Sequence, residues 1–418
     1  MAGPAIRCWE FAKALAKHDQ VTLISPNQPS ILSTDFRVLS RVQADALNVY
    51  KNADILIAQT LSFSLALKAK WYGLKIIVDA YDPIPLEYLE QFSKENLTTQ
   101  TKWQSLSINQ LTFNFQMADG IICASEKQRD LWIGFLLSLK LISPKHYHED
   151  KSLRNLIDVV PFGMSDMPPK RNGIGLKEKY GFSSEDKIIL WGGGIWNWFD
   201  PLSLIQAMKK LKDSRPEIKL VFMGLKNPEP SVPEMEMSYK AIELSKELNL
   251  WNQNVFFNSG WVPYDERQNN FLDASIGLST HFDHLETRYS FRTRMLDYIW
   301  TELPILATEG DSFAELIDHK HLGKIVSYQD SEAIADAILA LIDQKKETKS
   351  IKENLSRLKN NFYWTSVIKP IQRMSAYYLT QPKKSMNLNT IWKTFVFILN
   401  KIKDKGFIFA VKMLKRAS

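Results

Sequence analysis

The sequence predicts an α/β protein of two Rossmann-like, doubly wound domains facing a cleft, and three observations carry that expectation. Its 418 residues exceed the size at which one hydrophobic core usually stops growing, so two domains are the default. Short β-branched runs alternate with helical patterns, as in βα units on parallel sheets. The alternation also comes in two blocks, parted by Pro161-Phe-Gly163 and the polar, Pro-containing stretch Pro168 to Asn172. The boundaries read from this are 1–165, 166–380 and a tail, 381–418.

In the first block the buried-strand candidates are Val21 to Ser25, Asp54 to Ala58, Lys75 to Asp79 and Gly120 to Cys123. Helical patterns such as Ile6 to Ala16 and Leu61 to Trp71 fall around them. In the second block they are Lys187 to Trp191, Lys219 to Met223, Val255 to Asn258, Ser275 to Ser279 and Ile305 to Thr308. One anomaly stands at the start: Met1-Ala-Gly-Pro4 runs directly into an amphipathic helix. A doubly wound domain normally begins with a strand that becomes central in its sheet. The expectation is therefore that the first strand of the N-terminal domain precedes residue 1. An upstream reading frame without an apolar run of about six residues, a typical strand length, would remove it.

Composition narrows the function classes. A 45% hydrophobic and 24% charged chain is ordinary for a folded protein, not a disordered one. Cys8 and Cys123 could form at most one bridge and show no metal-ligand spacing, which fits a reducing compartment. No signal-peptide pattern and no apolar run of about 20 residues is present. The net charge of +7 is concentrated from Lys383 to Ser418, and the rest of the chain is close to neutral. That distribution argues against a nucleic-acid-binding face.

Three segments could carry chemistry. Read as a helix from Ser290 to Glu302, the first places Ser290, Thr293, Arg294 and Asp297 on one face and Phe291, Met295, Tyr298 and Ile299 on the other. With Ser290 as N-cap, its first-turn amides and Arg292 or Arg294 suit a diphosphate. Asp297 can accept hydrogen bonds from ribose hydroxyls. A capped surface helix with solvated arginines is the competing reading, since such caps are common. The second segment, Leu190 to Pro201, ends a strand in Gly192, Gly193 and Gly194, where backbone can approach a ligand. A tight turn with no ligand is the alternative; the Trp and Phe residues beside it could bind a ring or simply pack. In the third, Asp79 and Asp82 follow a strand and could hold acceptor hydroxyls, or Asp82 could cap a turn before Pro83. His281 and His284 have no evident third metal ligand and read as hydrogen-bonding or structural residues.

At these residues the chain resembles the retaining glycosyltransferases of family 4, also called group 1, which have the GT-B fold. The likeness runs from Gly3 to about Tyr378 and is closest to a bacterial subgroup of surface-polysaccharide enzymes. Gly3-Pro-Ala-Ile-Arg7 looks like the family's first glycine loop, on the acceptor side, and Val160-Pro-Phe-Gly163 like its interdomain linker. Gly260-Trp-Val-Pro263 resembles the turn before the donor helices, and Glu286 to Asp311 is the most specific match. The family's two donor-site glutamates are separated by seven residues; Asp297 takes the place of the second, while the first falls on Tyr289, with Glu286 three residues earlier. The Arg and Lys that follow the family's glycine turn are missing from Ile195 to Asp200, so Arg292 and Arg294 are expected to supply that charge. The catalytic histidine of the family is replaced around Asp79 to Asp82.

The resemblance implies transfer of a sugar from a nucleotide-diphosphate sugar to a saccharide or lipid-linked acceptor, with retention and with neither cofactor nor metal. The candidate residues are Asp79, Asp82 and Glu286 for catalysis, and Gly193, Gly194, Ser290, Arg292, Thr293, Arg294 and Asp297 for the donor. Gly3 is the candidate for the acceptor loop. A non-catalytic binding subunit and a nucleotide-sugar epimerase are the rival readings. The apolar, lysine-punctuated tail from 391 to 416 suits an anionic membrane surface. The expected location is thus cytoplasmic, peripheral on the inner face of the plasma membrane. A tail helix packed on the protein is the alternative.

Overall fold

The structure is a computed structural model; it describes residues 3–225 and 235–382, with Val396 and Leu399 beyond them. The tail 391–416 thus lies, but for those two residues, outside the described chain. Twelve strands are described: β1 (Thr22–Ser25), β2 (Arg37–Ser40), β3 (Ile55–Ala58), β4 (Lys75–Asp79), β5 (Gly120–Cys123), β6 (Ile157–Val159), β7 (Lys187–Trp191), β8 (Ile218–Phe222), β9 (Val255–Phe257), β10 (Ala274–Ser279), β11 (Ile305–Thr308) and β12 (Gly323–Val326). They form three sheets, ordered β1-β2, β3-β4-β5-β6 and β12-β11-β10-β7-β8-β9. Every pairing is parallel, so a crossover must return the chain to each next strand; it contains a helix in the two larger sheets, and between β1 and β2 it is the helix-free stretch 26–36. Among the described residues no helix is long and apolar enough to cross a membrane.

Contacts divide the chain into two units. One holds 8–161 and 367–382, the other 162–366 with 3–7. In the first unit, β4 and β5 are buried along their whole length, as suits strands whose β-branched residues face helices on both sides. Phe113, Phe115, Met117 and Trp132 pack against them. The last helix of the chain's described part, Lys369–Thr380, belongs to this unit. Its Tyr378 hydroxyl lies 2.5 Å from the carbonyl oxygens of both Asp119 and Asn155, and Arg373 pairs with the buried Asp158.

The second unit has the doubly wound order in full: the first strand, β7, is central, β8 and β9 lie to one side, and β10, β11 and β12 to the other. The helix Pro201–Leu211 shows how local sequence sets such an element. Asp200 caps it by accepting from the Ser203 N–H at 3.0 Å, Pro201 opens it, and Lys209 and Lys210 close it. Leu204, Ile205, Ala207, Met208 and Leu211 form its buried face.

Two sequence expectations are corrected here. Gly3, expected in a loop, is the first residue of the helix Gly3–Leu15. The segment expected as one helix from Ser290 to Glu302 is instead a short helix, Leu285–Tyr289, a turn, and a second helix, Arg294–Trp300. Ser290 ends the first of these rather than capping the second: its N–H donates to Glu286 O at 2.9 Å, and its backbone is extended. Strands β2, β6 and β12 were not anticipated.

Candidate functional site

In a doubly wound sheet ligands gather beyond the carboxyl ends of the strands where the order reverses. In the second unit that point lies between β7 and β10. The glycine turn Gly192–Gly194 leaves β7 there, and Thr280 and His281 leave β10. Gly193 has φ +145°, a conformation that side chains resist, so a glycine is required at that position. Tyr298, fully buried, joins the two strands. Its hydroxyl accepts from the Gly192 N–H at 2.9 Å and donates to Leu278 O at 2.6 Å. The ring occupies the space where Gly277 has no side chain; a Cβ there would stand 2.3 Å from it.

Arg294 opens the helix Arg294–Trp300 and projects to the glycine turn, where its Nη2 donates to Gly194 O at 2.9 Å. The guanidinium lies between two aromatic rings, 4.4 Å from the centroids of Trp191 and Phe199. It is 8% exposed, forms no ion pair among the described residues, and its Nη1 has no hydrogen-bond partner. Burial lowers its pKa to about 10, still well above neutrality, so the group remains a cation. Two cation–π contacts return about 2 kcal/mol each at best when desolvated, whereas an unpaired buried charge costs several. The Arg294 charge is thus left without a counter-charge among the described residues.

Arg292 is placed differently from its expected role. Its Nη1 and Nη2 donate to the two Glu286 oxygens at 2.8 and 2.7 Å, and both residues are buried. This fork-to-fork pair spans the turn between the two short helices. Asp311 lies 3.8 Å from Arg292 Nε, caps the helix Ser312–Lys320 through the Ala314 N–H at 2.7 Å, and meets His281 Nε2 at 3.3 Å. The Thr308 hydroxyl accepts from the His281 N–H and donates to Nδ1, both at 3.0 Å. That assigns the Nε2–H tautomer. Burial outweighs the Asp311 hydrogen bond and lowers the His281 pKa, keeping the ring neutral. Burial would raise Asp311, but the bond from His281, the Arg292 charge and the Ala314 N–H hold its carboxyl below the usual range.

The remaining candidates fall as follows. Asp297, expected to meet ribose, receives Arg267 Nε at 2.9 Å. Arg267 in turn lies over the Tyr264 ring at 3.8 Å and the Trp300 ring at 4.8 Å. The Asp297 side chain keeps 21% of its surface exposed. Thr293 sits half-buried in the turn before Arg294, and its side chain makes no capping bond. The Ser290 hydroxyl donates to Thr287 O at 3.3 Å. His284 Nδ1 accepts from the Thr287 N–H at 3.2 Å, capping Leu285–Tyr289. Gly194 is exposed beside Arg294, and Trp196 and Trp198 stack at 5.2 Å just after it. In the other unit Asp79 ends β4 in a buried position, and Asp82 lies half-buried three residues on. The loop between them is pinned by Trp132 Nε1 to Ala80 O at 3.1 Å and Gln128 Nε2 to Tyr81 O at 2.8 Å. Thus Gly193, Gly194 and Arg294 come together, Glu286 and Arg292 form an ion pair in which Arg292 Nε alone keeps no hydrogen-bond partner, and Asp297 is paired. Sequence reading missed Arg267 and Asp311 as partners, and the aromatic slot around Arg294, whereas His281, read as a hydrogen-bonding residue, is one.

No curated protein sequence matches the chain. Among solved structures, it is similar to a glycosyltransferase from Rickettsia africae, at 17% identity over 90% of this chain and 95% of that one, TM-score 0.60. It is also similar to WaaG, a glycosyltransferase involved in lipopolysaccharide biosynthesis, at 16% identity over 90% and 96%, TM-score 0.58. Anabaena HepE in complex with UDP-glucose matches at 14% identity over 91% and 97%, TM-score 0.61. At these identities the likeness is one of fold, the two Rossmann-like domains of GT-B glycosyltransferases. Residues 175–357 match the family model described as glycosyl transferases group 1.

Proposed function

We propose that the chain transfers a sugar from a nucleoside diphosphate sugar, with the diphosphate bound beside Gly193 and Gly194 and neutralised by Arg294. The observation that carries this is the buried Arg294 cation with an unpartnered Nη1 at the switch point. A diphosphate leaving group develops negative charge as the glycosidic bond breaks, and a fixed cation in a low-dielectric slot stabilises that charge without reorganising. Glu286 and Arg292 act as a positioning pair that sets the turn presenting Arg294. The exposed part of Asp297 is left for a ribose hydroxyl, while Arg267 fixes its carboxylate. On the acceptor side, Asp79 and Asp82 hold the attacking hydroxyl. The reading extends to retention of configuration and to a saccharide or lipid-linked acceptor in surface-polysaccharide synthesis. HepE, of similar fold, is solved with UDP-glucose, which makes UDP and UDP-glucose the first probes; GDP, ADP and dTDP with their sugars follow.

The test is calorimetric titration of these nucleotides against the chain and Arg294→Ala. One of them should bind, and the variant should lose roughly 10- to 150-fold in affinity, since hydrogen bonds to charged groups are worth about 1.5–3 kcal/mol. Equal affinity in the two proteins would remove Arg294 from the donor site, and binding of none of the probes would end the reading. Conversion of the bound sugar nucleotide without any acceptor would favour an epimerase.

A further inference from the structure

Beyond the glycine turn, Ile195 to Asp200 carries neither of the two basic residues that the resemblance puts there and holds Trp196 and Trp198 instead. The carbonyl oxygen of Gly194 is fixed by two donors, Arg294 Nη2 at 2.9 Å and Trp191 Nε1 at 3.1 Å. The other side of Gly194 is open. A Cβ built on it would meet one atom within 4 Å, Trp196 Nε1 at 3.8 Å, which is ordinary contact. Gly194 is exposed and its φ lies outside the left-handed region, so a side chain could stand there without strain. Gly193 is needed for its backbone; Gly194 keeps a space clear.

Trp196 is held beside that space. Its carbonyl oxygen accepts from the Phe199 N–H at 3.1 Å, and Asn197 Oδ1 accepts from the Met237 N–H at 3.1 Å. The ring lies against Trp198, centroids 5.2 Å apart and planes 10° from parallel. The indole is half-buried, and its Nε1–H makes no hydrogen bond among the described residues. In Trp132, Trp191 and Trp300 the same group donates to a carbonyl oxygen. An indole N–H can only donate. A fixed donor over an open glycine, next to a buried cation, is complementary to an acceptor oxygen that carries negative charge.

We propose that Trp196 Nε1–H donates to a phosphate oxygen of the diphosphate that Arg294 neutralises, across the space that Gly194 keeps clear; this rests on the reading of the switch point as the donor site. Trp196 then stands where the resemblance puts a cation, and the diphosphate meets one charge and one neutral donor. Two consequences separate this role from packing. Filling the space at Gly194 weakens the ligand without straining the chain. Removing the indole N–H weakens it without changing the charge of the site, so the salt dependence of binding follows Arg294 and not Trp196.

The experiment is calorimetric titration of the full chain, Trp196→Phe, Gly194→Ala and Arg294→Ala at low and high salt. The probes are UDP and UDP-glucose, or whichever nucleotide and nucleotide sugar the unchanged chain binds. Trp196→Phe keeps a ring against Trp198 and loses the N–H; Gly194→Ala sets a methyl group in the clear space. Both should unfold in urea at the midpoint of the unchanged chain and bind both probes about tenfold more weakly, the lower end for a hydrogen bond to a charged group. Added salt should weaken binding as steeply in Trp196→Phe as in the unchanged chain, and less steeply in Arg294→Ala. Unchanged affinity in Gly194→Ala, or in a folded Trp196→Phe, while Arg294→Ala is weakened, overturns the inference and leaves Arg294 in the donor site. A loss for the nucleotide sugar alone also overturns it, because the N–H would then meet the sugar. Binding of no nucleotide removes it together with the reading on which it rests.

Discussion

Arg292 and Arg294 are two residues apart, carry the same charge and are both buried, yet they do different work. Arg292 is neutralised by Glu286 through two hydrogen bonds; Arg294 meets a carbonyl and two aromatic rings. Their variants should therefore separate. Removing one member of a buried ion pair leaves the other uncompensated, which costs about 3–5 kcal/mol. Glu286→Gln should accordingly lower stability by about that amount in urea unfolding. The double variant Glu286→Leu with Arg292→Met should recover most of it, because neither charge is then stranded. A stability loss below about 1 kcal/mol, the worth of an exposed pair, would show that the pair is not buried in solution. Arg294→Ala, in contrast, acts first on donor affinity, since no protein carboxylate depends on it among the described residues.

At the scale of elements, Tyr298 sets how β7 and β10 part. A helix read from periodicity alone would point Tyr298 generally at the core. Only the packed structure shows that its ring fills the place opposite Gly277 and that its hydroxyl joins both strands. Gly277→Ala forces the ring or the strand to move, and overpacking of this kind costs about 1–3 kcal/mol. Tyr298→Phe leaves the Gly192 N–H buried without a partner, at a cost of about 1–3 kcal/mol. Denaturant titration should find both variants destabilised, and a neutral Gly277→Ala would mean that the strands have slack at the switch point. The strands missed in the sequence share a cause at this scale. β2, β6 and β12 each lie at the end of a sheet. All three contain a charged residue, and β2 and β12 stay partly exposed, so they lack the continuous apolar run that marked β4, β5 and β7.

Across the whole molecule, charge is the least evenly distributed property. The stretch from Lys383 to Ser418 carries nine Lys or Arg and one acid, an excess of eight against +7 for the whole chain. On a membrane reading, each Lys or Arg near an anionic surface contributes about 1 kcal/mol. The full chain should therefore bind phosphatidylserine vesicles in sedimentation assays, more weakly at high salt, and a chain ending at Pro382 should not. Equal binding by both would remove the tail from the proposed function. The fold itself was largely legible. The apolar runs of β4, β5 and β7 announce their strands because a residue buried on both faces must be apolar whatever its neighbours are. The glycine turn after β7 was equally readable, since backbone geometry demands glycine locally. The partners of the charged residues were not legible. Whether an arginine near a glycine turn holds a ligand or another side chain depends on which carboxylate the tertiary structure brings within 3 Å. Sequence alone thus determined the α/β class, the central strands and the Gly192–Gly194 turn. Tertiary structure alone decided that Arg292 is ion-paired with Glu286 while Arg294 meets no carboxylate among the described residues, because desolvation and pairing are set by packing between residues that no periodicity relates.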